Sequence, residues 1–160
     1  MTEKTESRFV EIRAGGEGRT ITGQAVPYGK ETRIGGMVER FAQGSAQSTG
    51  SAVLNVGHDR NRPIAREPDS LRFEQRSDGL WFEAELPETR EANDALANIR
   101  AGIYRGASIE FRAVKQASVS GVREVREAVI RGLAIVLDPA YRGEIQVRSQ
   151  PEGRRRRIWL

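Results

Sequence analysis

The feature that most constrains this chain is a two-residue alternation of apolar and polar side chains. It recurs in short segments and breaks at glycine-containing turns. Residues 71–74 (Leu-Arg-Phe-Glu) and 80–86 (Leu-Trp-Phe-Glu-Ala-Glu-Leu) both alternate, with Ser77-Asp78-Gly79 between them. Successive side chains of a strand point to opposite faces, so this is the pattern of half-buried strands. An Asp-Gly turn between two such runs predicts a hairpin, with the glycine taking a positive φ. The alternation returns in Tyr104-Arg105-Gly106-Ala107-Ser108-Ile109-Glu110-Phe111-Arg112-Ala113-Val114. There Ile109, Phe111 and Ala113 fall on one face, and Ser108, Glu110 and Arg112 on the other. A hydroxyl, a carboxylate and a guanidinium in a row form either a solvated face or the floor of a site.

Other segments extend the pattern. Residues 9–13, 20–26, 52–56 and 132–137 read as strands, with Gly23 marking a bulge or bend in the second. Residues 122–130 read as a strand, with a helix left open, and 144–147 as a last short strand. Residues 31–36 read as a loop, 37–41 as a short apolar-acidic segment, and a helical turn is expected near Gly44. Pro63 and Pro68 make 60–68 a loop or edge connection. One helix stands out. Thr89 or Glu88 opens it, Ala92, Ala95, Leu96 and Ile99 form its apolar stripe, and Arg100 and Gly102 close it. About eight short strands and one clear helix predict a β-rich α+β domain. A closed or nearly closed β-barrel, with a few surrounding helices, would leave no exposed strand edges.

The chain has 160 residues, the size of one ordinary domain. Residues 1–8 are expected to be a disordered segment, 9–150 the folded domain and 151–160 a basic tail. Arg154, Arg155, Arg156 and Arg157 account for the whole net charge of +4, so the body of the domain is balanced. A nucleic-acid partner would rest on that tail alone and is not expected. Neither an apolar leader nor a run of membrane-spanning length is seen, so no membrane association is expected.

The residue inventory narrows the chemistry. There is no cysteine, which excludes disulfides, thiolate metal sites and a cysteine nucleophile. There is one histidine, which excludes a His-rich metal site, and no cofactor or metal is expected. Any serine–histidine arrangement for acyl transfer must therefore use His58 as base. His58 follows the apolar run 52–56 and Gly57, a context that suits a positioned group or a capped surface residue. Ser108 begins an alternating strand directly after Gly106-Ala107, where small residues allow close approach. Periodicity alone does not bring the two together.

Six segments, in order, resemble the prohead (capsid maturation) proteases of tailed phages, the HK97 type, which are related in fold to the herpesvirus assemblins. They are Gly23-Gln24-Ala25-Val26-Pro27-Tyr28, Val38-Glu39-Arg40-Phe41-Ala42-Gln43-Gly44-Ser45, Val53-Leu54-Asn55-Val56-Gly57-His58-Asp59, Asp78-Gly79-Leu80, the stretch from Tyr104 to Phe111, and Leu133-Ala134-Ile135-Val136-Leu137-Asp138-Pro139-Ala140-Tyr141. Each is weak alone; together, with the spacing preserved, they are specific. The resemblance implies a serine endopeptidase with Ser108 as nucleophile and His58 as general base. It further implies capsid or scaffold protein, and the protease itself, as substrates, and action inside the immature capsid in the bacterial cytoplasm. Self-association is left open.

The third catalytic member departs from the family pattern. Many relatives carry a glycine two residues after the nucleophile and a glutamate opening the closing strand. Here Glu110 stands at the first place, and Arg131-Gly132 opens the second. The expectation is that Glu110 supplies the acid from the nucleophile's own strand; otherwise it is solvated, or pairs with Arg112 or Arg131. A non-catalytic capsid-assembly module of the same fold is the alternative function. A nucleic-acid-binding barrel using the arginine tail is a more remote one.

Overall fold

The computed structural model describes residues 4–14 and 18–137. In chain order the elements are β1 (Glu6–Glu11), β2 (Arg13–Ala14), β3 (Thr20–Pro27), β4 (Thr32–Ile34), β5 (Met37–Phe41), β6 (Ala46–Val56), β7 (Asp59–Arg66), β8 (Leu71–Arg76), β9 (Gly79–Glu85), α1 (Arg90–Arg100), β10 (Gly106–Val119) and β11 (Val122–Val136). The class is β-rich with one helix, as the alternation predicts. The strands form a seven-stranded and a four-stranded sheet, and no closed barrel is found among the described residues.

The larger sheet is organised by β11. It pairs antiparallel with β10 on one edge. On the other edge it pairs in parallel first with β5, over Val122–Val125, and then with β6, over Ala128–Ile135. Two strands thus share one edge of a long strand, and the sheet branches there. β1 covers the far edge of β10, and β7 covers β6. The smaller sheet runs β2-β3-β9-β8. One apolar cluster joins the two, with Val26, Leu80 and Phe82 from the smaller sheet and Leu54, Ile109, Phe111, Leu133 and Ile135 from the larger. Burial of such side chains is the main favourable term in folding, on the order of 1.5–3 kcal/mol each.

The helix obeys its end signals. Thr89 is the N-cap and accepts from the Ala92 backbone N–H at 3.2 Å. At the other end Gly102 takes φ 77°. Gly102 N–H donates to the Ile99 carbonyl, and Ile103 N–H to the Asn98 carbonyl, a Schellman closure. Ala92, Ala95, Leu96 and Ile99 are buried, which is the stripe read from the sequence.

Several local expectations are corrected. The β8–β9 hairpin forms, but Gly79 has no positive φ. Glycine is needed there because a Cβ would run into the Val26 carbonyl of the neighbouring strand. Of the two readings of 60–68, the edge connection holds for residues 60–66, which form an edge strand paired only with β6. Pro63 stands opposite Asn55, where the ladder shifts register because proline has no N–H to donate. No helical turn forms at Gly44, and β4 lies within the expected loop 31–36. The segment expected to be disordered contributes Glu6, Ser7 and Arg8 to β1. The closing Asp138-Pro139-Ala140-Tyr141, the strand expected at 144–147 and the basic tail lie outside the described residues.

Candidate active site

His58 is placed by a tight turn. Val56 and Asp59 pair across β6 and β7, leaving Gly57 and His58 as a two-residue hairpin loop. Their φ angles are 64° and 62°. Positive φ at both central residues is the signature of a type I′ turn, whose twist matches that of the flanking strands. Gly57 adopts this freely, while His58 pays on the order of 1 kcal/mol for it. Gly57 N–H also donates to the Ile135 carbonyl at 2.8 Å, which ties the turn to β11.

Ser108 and Glu110 are placed by strand register. Ser108 pairs with Ala134, and Ala134 with Asn55. Glu110 pairs with Gly132, and Gly132 with Val53. Directly paired residues share a sheet face, so two adjacent rows, Ser108–Ala134–Asn55 and Glu110–Gly132–Val53, lie on one side of β10, β11 and β6. Leu54, Val56, Ile109, Leu133 and Ile135 fill the opposite, core-facing side.

His58 Nδ1 lies 2.9 Å from Glu110 Oε1. The contact links the β6–β7 turn to β10, so it spans β11. The two rows present only Gly132 and Ala134 there, hydrogen and methyl. A Cβ built on Gly132 would lie 3.4 Å from Glu110 Oε2 and 3.4 Å from the Val53 carbonyl oxygen. A Cβ would only reach contact distance, but a side chain extending beyond Cβ at 132 would compete with the carboxylate for this space. The His58 and Glu110 side chains are 41% and 35% exposed, so the pair faces solvent. Ser108, one row away on the same face, is 9% exposed. Its hydroxyl makes no hydrogen bond to His58 or Glu110 among the described residues. A carboxylate only accepts, so Nδ1–H is the donor in this contact, and in the neutral imidazole the lone pair is then on Nε2.

The strand bearing Ser108 is held from its other edge and from below. On β1, Phe9 pairs with Ser108 and Ser7 with Glu110. Arg8 makes a two-pronged contact with Glu39, Nε to Oε2 at 2.9 Å and Nη2 to Oε1 at 2.8 Å. Arg123 bridges Glu6 and Glu39 at 2.7 and 2.8 Å, and Arg8 also reaches Glu6 at 3.0 Å. The network is balanced, two cations against two anions. Hydrogen bonding from Arg123 is the largest cause that brings the Glu6 carboxyl down to about 2. Burial opposes the shift, and Arg8 adds to it. The Arg8 guanidinium sits 5.0 Å from the Phe111 ring centre, and Phe111 packs edge-on against Phe41 at 5.3 Å. Sequence reading missed this network. Residues 1–8 read as a disordered segment and 37–41 as a short apolar-acidic one, so nothing local brought Glu6, Arg8, Glu39 and Arg123 together.

Among the described residues no three His, Cys, Asp or Glu side chains group as a metal site, and no helix is long and apolar enough to cross a membrane.

Residues 4–153 match the family model described as caudovirus prohead serine protease. The chain belongs to this family. The prohead-protease match spans the described strands and helix and places the six sequence segments within one family domain. No curated protein matches the sequence significantly. Among solved structures the chain resembles the bacteriophage T4 capsid assembly protease gp21, with a TM-score of 0.53 at 13% identity, covering 83% of this chain and 98% of that one. At that identity the likeness concerns the fold, and it agrees with a β-rich prohead-protease domain.

Proposed function

We propose that this protein is a serine endopeptidase that processes capsid or scaffold protein, and itself, during prohead maturation, with Ser108 as nucleophile, His58 as general base and Glu110 as the group that orients the base. The observation that carries this reading is the 2.9 Å contact between His58 Nδ1 and Glu110 Oε1, on the sheet face that also carries Ser108. With Nδ1–H held by Glu110, His58 Nε2 is the basic atom.

In the reaction His58 Nε2 takes the Ser108 hydroxyl proton as Oγ attacks a peptide carbonyl. The imidazolium that forms is stabilised by Glu110. It returns the proton to the leaving amine nitrogen as the C–N bond breaks, leaving an acyl-enzyme on Ser108. Water, deprotonated by the same imidazole, hydrolyses the ester and frees the hydroxyl. Exposure of the His58–Glu110 pair suits a site that must admit an extended polypeptide. Action inside the immature shell, assembled in the bacterial cytoplasm, would place protease and substrate at high effective concentration, so a modest rate constant suffices.

The test is co-expression with the cognate capsid protein, read by gel and mass spectrometry, together with labelling by a fluorophosphonate probe. Wild type is expected to cleave the capsid protein and to be labelled at Ser108. Ser108→Ala should do neither, and His58→Ala should lose at least about 10³-fold in rate. Unchanged processing by Ser108→Ala would remove the protease reading and favour a non-catalytic assembly module.

A further inference from the structure

The triad leaves one requirement unmet: donors for the oxyanion that forms when Ser108 attacks. Among the described residues, the row of Ser108 carries a polar side chain whose buried oxygen is unpartnered. Asn55 Oδ1 is buried and lacks a hydrogen-bond partner. Among the described residues its side-chain amide joins no hydrogen bond. Buried polar groups are nearly always paired, and an unpaired one costs about 1–3 kcal/mol. An amide that carries this cost beside a nucleophile calls for a functional account.

Its position supplies one. Asn55 shares the row of Ser108, separated from it only by Ala134. Two strand spacings put the Ser108 and Asn55 Cα atoms roughly 10 Å apart. Both side chains rise from the same face on either side of the Ala134 methyl, which leaves a gap between them that a substrate carbonyl group can enter. The row is lined by small residues, so a substrate carbonyl can settle over Ala134 between the two. The neighbouring row is taken up by the Glu110 carboxylate. An amide whose oxygen is turned inward presents its NH₂ on the opposite side. Asn55 also lies on β6 three residues before His58, so one strand and its turn would carry both base and donor.

We infer that Asn55 is a catalytic residue that donates a side-chain N–H to the oxyanion of the tetrahedral intermediate formed on Ser108. This rests on the serine-protease reading above and adds to it. The covalent steps are unchanged. Asn55 supplies a hydrogen bond to the carbonyl oxygen as it gains charge and keeps both its protons throughout.

The experiment compares wild type with Asn55→Leu and Asn55→Asp in the full chain. The readouts are kcat and KM on the purified capsid protein, the rate of fluorophosphonate labelling, and the melting temperature. Leucine removes the amide at similar volume, and aspartate keeps the shape but has no N–H. Both variants are expected to lose about 10²–10³-fold in kcat with KM within about threefold, and to label proportionately slowly. Asn55→Leu is expected to melt at or above the wild-type temperature, because it removes an unsatisfied group. An unchanged kcat, a rise in KM alone, or a loss of activity matched by a fall in melting temperature would each overturn the inference. If wild type itself is not labelled at Ser108, the protease reading fails and this inference with it. Normal labelling of wild type with equal labelling of Asn55→Leu sinks the inference alone.

Discussion

Glu110 on β10 and Gly132 on β11 face each other directly across the antiparallel pair. One carries the carboxylate that reaches His58, and the other carries no side chain at all. The two facts are one. A Cβ at 132 would already touch the Glu110 carboxylate at 3.4 Å, so this level of the sheet has room for a single long side chain.

That relationship makes the position of the acid testable. Glu110→Gln keeps the size but replaces the carboxylate acceptor, and should lower kcat by about 10³–10⁴-fold while leaving the melting temperature nearly unchanged. Gly132→Val should lower activity by displacing the carboxylate. The double variant Glu110→Gly with Gly132→Glu should recover part of what Glu110→Gly loses, because the two positions are seats for a carboxylate at the same level. Steady-state cleavage rates, with thermal melts alongside, check all four. Recovery no better than the single variant would show that only position 110 presents the acid correctly.

The turn that carries His58 makes a second prediction. Gly57 has φ 64° and open space where a Cβ would point, so only backbone strain opposes a side chain. Gly57→Ala should cost on the order of 1–2 kcal/mol in stability and reduce cleavage by moving His58. Gly57→Asn should be milder in both, because asparagine visits the left-handed region more readily. Chemical denaturation and cleavage rates would show whether the two variants rank in this order.

The network beneath β10 predicts an acid sensitivity. The fold lowers the Glu6 carboxyl from 4.5 to about 2, so folding favours its charged form. The resulting stabilisation is fully present above the ordinary carboxylate pKa. It is lost progressively as pH falls from about 4.5 toward 2, and amounts to about 3 kcal/mol at most. Glu6→Gln should be less stable than wild type near neutrality, and the difference should shrink across that window. Urea unfolding at several pH values would reveal it. A stability gap independent of pH would assign the contribution of Glu6 to packing instead.

Much of the chain was legible because its signals are local. The β8–β9 hairpin, the capped helix with its buried stripe, and the two-faced strand at Ser108 depend on residues a few positions apart. So did the inventory argument: one histidine and no cysteine left a single candidate base. Where sequence reading went astray, a distant neighbour had decided the matter. Gly79 is required by a carbonyl on β3, not by its own φ. For 60–68 the sequence left a loop or an edge connection open, and β6 decided it by offering an edge, with the proline absorbed by a register shift.

The sequence by itself determined the alternation, the residue types able to do chemistry, and the unusual placing of Glu110 and Gly132. Only the tertiary structure decided that these belong together. His58 and Glu110 are 52 residues apart in the chain and 2.9 Å apart in space. What joins them is the pairing of β11 with β10 on one edge and β6 on the other. Strand order and register are set by which faces can be buried together, a property of the whole core that no single segment encodes.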